Sequence, residues 1–218
     1  MRGIPSEEYP QALGYLKYEN AWYRKHFMLD EKDRDKRITL YFEGIATKAT
    51  VYLNGCLLKH NYCGYTPFEV DITDYAFFDK ENILAVYVDT SEHEGWWYEG
   101  GGIYRHVWLI KTSQIAVDLW GIYVNPQKQN ESTWNVDIET TIINVSEKND
   151  TVEIFSTIFD KNGVEIISAS DLICVDSYNK NTLKQSVKVK NPMLWDIDMP
   201  DMYILITTVK RIVKKLTV

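Results

Sequence analysis

Apolar and polar positions alternate with a period of two along most of the chain, in short runs rich in β-branched and aromatic residues. Gly, Asn, Asp and Pro separate the runs. This is the pattern of half-buried strands. It is clearest over Trp22–Leu29, Arg37–Glu43, Ala49–Leu53, Ile83–Asp89, Val107–Ile110, Gly121–Val124, Trp134–Ile143, Val152–Phe159, Leu183–Val189 and Tyr203–Val209. Long helical patterns are missing, so the chain reads as all-β, and the strand spacing suits sandwiches of antiparallel sheets. In Val51-Tyr52-Leu53-Asn54-Gly55-Cys56-Leu57-Leu58 an Asn-Gly pair divides two apolar runs. A type I′ turn needs positive φ at both central residues, which these two tolerate, so the segment predicts a hairpin. Asp71-Ile72-Thr73-Asp74-Tyr75-Ala76 predicts one short helical turn, because Asp or Thr at its start can accept from free backbone N–H groups.

The pattern changes near Lys111–Ile115. Tyr, Trp and Gly are dense before it; Val, Ile, Thr, Asn and Lys alternate regularly after it. With 218 residues available and domains usually of about 100–150, two domains are expected, 1–112 and 113–218.

Hydrophobic residues at 45% and charged residues at 25% predict a packed core rather than disorder. A net charge of −7 argues against nucleic acid as a partner, since that affinity comes from clustered Lys and Arg. The one basic cluster, Lys210-Arg211 with Lys214-Lys215, reads as a solvated edge. No segment approaches membrane-spanning length and the first residues hold no apolar signal core. A soluble protein without a membrane partner is expected, cytoplasmic or, after removal of a signal peptide, periplasmic or secreted. Cys56, Cys63 and Cys174 have no metal-ligand spacing; buried free thiols are expected, with a Cys56–Cys63 bridge as the alternative in an oxidising compartment.

Chemistry is expected in Ser91-Glu92-His93-Glu94-Gly95-Trp96-Trp97-Tyr98-Glu99-Gly100-Gly101-Gly102-Ile103-Tyr104-Arg105. One strand face cannot bury three consecutive aromatics, because side chains alternate. Flat aromatic faces beside carboxylates suit a sugar ring, so Trp96, Trp97, Tyr98, Glu99 and Glu94 are the candidate substrate-binding residues. The plainer reading is that the aromatics cap the open end of a sandwich, that the glycines permit a tight loop, and that Arg105 anchors it through carboxylate or carbonyl bonds. Catalysis by Glu92, Glu94 or Glu99 is not expected: a retaining glycosidase needs two carboxyls about 5–5.5 Å apart with one pKa raised, and a Gly-rich loop is a weak place to fix that geometry. His26, His60, His93 and His106 lack metal-ligand spacing, and no nucleophile elbow or phosphate-binding loop is present. No catalytic residue, metal or cofactor is therefore assigned to this chain.

Taken in order, Trp22-Tyr23-Arg24-Lys25-His26-Phe27, Phe42-Glu43-Gly44-Ile45, Val51-Tyr52-Leu53-Asn54-Gly55, Gly64-Tyr65-Thr66-Pro67-Phe68, Asp71-Ile72-Thr73, Asn82-Ile83-Leu84-Ala85-Val86, Trp97-Tyr98 and Gly102-Ile103-Tyr104-Arg105-His106-Val107-Trp108-Leu109 resemble the N-terminal sugar-binding domain of glycoside hydrolase family 2, the β-galactosidase and β-glucuronidase family. The second half resembles the family's immunoglobulin-like domain, closing on Asn191-Pro192-Met193-Leu194-Trp195 and Pro200-Asp201-Met202-Tyr203.

The resemblance implies a jelly-roll, galactose-binding-like sandwich followed by a seven-strand-like immunoglobulin sandwich. It also implies that the catalytic glutamates lie on a third domain, a (β/α)₈ barrel. A barrel needs about 250 residues, which the chain to Val218 does not hold. The expected role is thus the non-catalytic N-terminal part of a retaining exo-β-glycosidase, inactive alone, shaping the substrate entrance once the barrel is present. In some relatives the loop before Gly-Ile-Tyr-Arg supplies an acid near the sugar and a bound sodium; Glu94 and Glu99 are both open to that role, and a sodium or magnesium ion would belong to the full-length enzyme. The rival readings are a free-standing carbohydrate-binding module and a scaffold for homo-oligomer contacts. The entry segment with Pro-His-Asp-Trp that the family carries is not found before Ile4.

Overall fold

Residues 20–91 and 101–212 are described by the structure, a computed structural model, and the chain divides into two compact units, Met1–Ser113 and Gln114–Val218. Strands make up nearly all the regular structure in both.

The first unit contains β1 (Ala21–Phe27), β2 (Arg37–Phe42), β3 (Ile45–Ala46), β4 (Lys48–Leu53), β5 (Cys56–Asn61), β6 (Phe68–Asp71), β7 (Asn82–Asp89), β8 (Gly102–Ile103) and β9 (Val107–Thr112). They form a sheet in the order β1-β7-β4-β5, a second in the order β6-β2-β9, and a small β3-β8 pair. All pairings are antiparallel. Neighbours such as β1 and β7 are far apart in sequence, as a jelly roll requires. Alternation on β4 and β7 turns Val51, Leu53, Val86 and Val88 inward, where they meet Ile38, Leu40, Phe42 and Phe68 in one buried cluster. Phe42 stacks on Phe68 with ring centroids 4.8 Å apart. Each such side chain contributes roughly 1.5–3 kcal/mol by leaving water.

The hairpin forms where the sequence puts it, with φ of 52° at Asn54 and 86° at Gly55. The Asn54 side chain also has a longer-range role. Its amide donates to Tyr75 O (2.8 Å) and Asn82 Oδ1 (2.9 Å), and its carbonyl accepts from Ile83 N (2.9 Å), which ties the turn to β7. The short helical turn is a 3₁₀ turn at Thr73–Tyr75. The Asp71 carboxylate accepts from both the backbone N–H (3.0 Å) and the hydroxyl (2.6 Å) of Thr73.

Asp33 is buried in a 3₁₀ turn after β1. Lys111 Nζ of β9 lies 2.5 Å and Lys36 Nζ 2.7 Å from its carboxylate. Hydrogen bonds from Lys111 first, and from Lys36 next, hold its pKa at about 2, against an ordinary 3.8. A carboxyl depressed in the folded state adds stability above its unfolded pKa and gives it up as the pH falls through the folded one. Asp33→Asn is therefore expected to lower the melting temperature at pH 7, with the gap to wild type closing between about pH 4 and pH 2. A gap independent of pH over that range would refute the assignment.

The second unit contains β10 (Ile115–Lys128), β11 (Thr133–Asn144), β12 (Asp150–Phe159), β13 (Glu165–Val175), β14 (Asn179–Lys190) and β15 (Ile204–Arg211). Two antiparallel three-stranded sheets, β10-β11-β14 and β13-β12-β15, make an immunoglobulin-like sandwich. Its described residues hold six strands rather than seven, and β10 is long, with its register on β11 interrupted between Val117 and Ile122. Trp120 has a φ of 57° within that interruption. Inward residues form two clusters, one around Val136, Ile138 and Val187 and one around Ile142, Val152 and Ile154. Asn144 is buried and satisfied: it donates to Lys148 O (2.8 Å) and Val175 O (3.2 Å) and accepts from Ser146.

The expectation of buried thiols is wrong. Cys56, Cys63 and Cys174 are all free and exposed, because Cys56 directly follows the hairpin turn, Cys63 lies in the loop after β5, and Cys174 faces outward on β13, an edge strand. Of the basic cluster, Lys210 lies 4.1 Å over the Phe155 ring and Arg211 bonds to Asp150 at 2.5 Å, while Lys214 and Lys215 lie outside the described residues.

Candidate functional site

Trp96, Trp97, Tyr98, Glu99 and Glu94 lie outside the described residues, so the site is built from what flanks them. Before the segment, Asp89 at the end of β7 accepts from the N–H (2.9 Å) and hydroxyl (2.6 Å) of Ser91. After it, Gly101 comes so close to Thr90 that a Cβ would collide with the threonine methyl, and a Cβ on Gly102, at φ +111°, would strike the Tyr23 hydroxyl. The two ends of the segment therefore meet at one point, and glycine is required there by space as well as by φ.

Tyr104 fixes this base. Its ring lies over Gly44, where a Cβ would come within 2.7 Å of ring carbon and hydroxyl alike, and its hydroxyl donates to Gly64 O at 2.8 Å. Three fragments distant in sequence, Glu43-Gly44, Gly64-Tyr65 and Gly102–Arg105, thus converge through one aromatic ring. Beside it the Glu43 carboxylate accepts from Trp108 Nε1 at 2.8 Å and lies 3.2 Å from His106 Nδ1, while the Glu43 N–H donates to His106 O. The Trp108 indole N–H holds the Glu43 carboxyl below the usual range, burial opposes it, and His106 adds to the lowering. The Arg105 guanidinium lies 5.5 Å from the Tyr104 ring centroid; the loop it is expected to anchor, with Glu94 and Glu99, lies outside the described residues.

Glu43, His106 and Trp108 stand in the motifs that carry the family resemblance, but the sequence gives their mutual contact no sign, and the Tyr104 clamp is not visible there. The usable signal was two glycines and a tyrosine with no turn of their own to explain them. A cavity of about 490 Å³ between β1 and β9 is walled mainly by Phe27, Leu40, Phe42, Leu84, Val107 and Leu109, core surface open at the sheet edges rather than a polar site.

Among the described residues no group of three His, Cys, Asp or Glu side chains is arranged to hold a metal ion, and the acids that the resemblance would bring to a sodium, Glu94 and Glu99, lie outside them. Among the described residues, the carboxyls whose acidity is displaced, Asp30, Glu31, Asp33, Glu43, Asp71, Asp89 and Asp160, are displaced downward. No helix in the described residues is long and apolar enough to cross a membrane.

Comparison with known proteins places this geometry. Residues 6–100 match the family described as glycosyl hydrolase 2 galactose-binding domain-like, and residues 117–217 match glycosyl hydrolases family 2. A β-galactosidase, BoGH2A, of Bacteroides ovatus is 37% identical over 97% of this chain and 25% of its own length. A β-glucuronidase of Formosa agariphila is 30% identical over 87% of this chain and 22% of its own. The crystal structure of a family 2 glycosyl hydrolase from Bacteroides cellulosilyticus superposes with a TM-score of 0.87 at 30% identity, covering 97% of this chain and 28% of that one. The chain thus spans about a quarter of the length of the curated relatives it matches.

Proposed function

Because the chain belongs to glycosyl hydrolase family 2, we propose that its two sandwiches are the non-catalytic N-terminal part of a retaining exo-β-glycosidase of β-galactosidase type. They would shape the substrate entrance of a catalytic barrel carried elsewhere in the enzyme. The observation that carries this reading is that residues 6–100 and 117–217 match the family's two sandwich domains while the chain covers only about a quarter of its relatives' length. A glycosidase acid/base needs a carboxyl pushed up so that it holds a proton near neutrality, whereas the Trp108 indole N–H lowers the Glu43 carboxyl. Glu43 is thereby suited to bracing and not to protonating a leaving group.

The surface of the second unit supports the same reading. Met193, Leu194, Trp195, Ile197, Met199 and Met202 are all exposed within ten residues, an apolar density that soluble proteins normally cover with a partner surface. The remainder of the enzyme is the proposed cover.

Trp97 and Glu99 would then reach substrate only in the whole enzyme, from the base clamped by Tyr104. In the full-length protein Trp97→Ala is expected to lower kcat/KM by about tenfold, mostly through KM, the mark of a lost binding contact. Kinetics indistinguishable from wild type would remove this loop from the substrate entrance.

A further inference from the structure

The outer face of the four-stranded sheet carries a second aromatic group, on the side of β1 opposite to Tyr23. Alternation sends Trp22, Arg24 and His26 of β1 to this face, and the register sets them opposite Tyr87, Ala85 and Ile83 of β7. Tyr52 of β4 faces Ala85 from the other side. β1 and β4 are two strand spacings apart, about 10 Å, yet the Trp22 ring centroid comes within 5.7 Å of Tyr52 and 5.0 Å of Tyr87. The indole can reach across because the residue beneath it is alanine. What results is a dent of about 450 Å³. Ala85 and Ile83 floor it, Trp22, Arg24 and His26 line one side, and Tyr52 with the turn glycine Gly55 line the other.

Cross-strand packing alone would account for aromatic contacts, but two features exceed it. Trp22 remains 60% exposed, so most of its ring is not used by the sheet. The Arg24 guanidinium has no ion pair or hydrogen bond among the described residues, while His26 beside it is already engaged by Glu81 at 2.8 Å. An exposed indole offers a flat apolar surface to the C–H face of a pyranose. A free guanidinium presents a fork of donors that a carboxylate fills with two parallel bonds.

We propose that this dent is a binding site, separate from the substrate entrance, for a saccharide that bears a carboxylate. The sugar ring lies on Trp22 between Tyr52 and Arg24, and the uronic acid carboxylate pairs with Arg24. The shape and charge of this sheet face carry the proposal, so it can fail without the reading of the chain as part of a glycosidase failing with it.

The test is calorimetric titration of the 218-residue chain with a tetramer of galacturonic acid and, separately, with a neutral tetramer of galactose. The acidic tetramer is expected to bind at least tenfold more tightly than the neutral one. Trp22→Ala and Arg24→Gln should each weaken it by tenfold or more. Arg24→Gln removes an exposed group with no partner among the described residues and should leave the melting temperature unchanged, so its loss of binding reads the site and not the fold. Absence of binding, equal binding of the two tetramers, or unchanged binding by both variants would each overturn the proposal.

Discussion

Phe42→Ala is expected to cost the first unit about 3–5 kcal/mol, the range for emptying a buried aromatic position. Phe42 is 1% exposed and stacked on Phe68. The surrounding strands β2, β6 and β9 are fixed by their ladders, so the hole cannot collapse without breaking backbone hydrogen bonds. Marginal domains have only about 5–15 kcal/mol to lose, and the variant should show a large fall in denaturation midpoint. Phe68→Leu, which keeps much of the volume, should cost clearly less. Equal costs would mean that this stack does not organise the sandwich.

The second large effect is expected at Gly44. A methyl group there falls 2.7 Å from both Cζ and the hydroxyl oxygen of Tyr104, a distance that a rigid ring wedged against Gly64 cannot absorb by small motion. Gly44→Ala should expel Tyr104, break its bond to Gly64 O and loosen the β3-β8 pair, for a total of about 1–3 kcal/mol. Tyr104→Phe keeps the ring in place and loses only the hydroxyl bond, about 1 kcal/mol. Urea unfolding of the two variants checks the order. In the full-length enzyme Gly44→Ala should also raise KM, since the clamp holds the base of the segment that bears Trp97, while Tyr104→Phe should barely change it. If the two variants were equally stable and equally active, the ring would be ornament to the fold.

Alternation revealed most clearly the strands with one face in a core, though the edge strands β1, β9, β10 and β15 were read as well. β4, β7, β11 and β12 bury every second residue, and each was legible for that reason. The unread strands are at edges. β6 and β13 end their sheets, and β13 buries only Val175 fully, so its sequence has little reason to alternate strongly. β5, another edge, was visible only as the far arm of the Asn54-Gly55 hairpin. The exposed cysteines follow the same logic, since two of the three stand on edge strands.

At the site the matter is different in kind. The aromatic run Trp96–Tyr98 stood out from composition, but the clamp beneath it depends on Tyr104 meeting Gly44 and Gly64, residues 60 and 40 positions away. No local pattern encodes such a meeting. The family motifs preserved each piece in order, and only the fold shows that the pieces touch. Trp22 and Tyr52 illustrate the same limit, since their contact depends on a two-strand register and on Ala85 between them.

The reading of this chain as a non-catalytic part of a glycosidase is tested most directly by assaying the pure 218-residue protein, made in a host without its own β-galactosidase or β-glucuronidase, on nitrophenyl β-galactoside and nitrophenyl β-glucuronide. The account predicts release of nitrophenol no faster than in buffer. Turnover that follows the protein through purification and falls when Glu43, Glu94 or Glu99 is changed to Gln would contradict it.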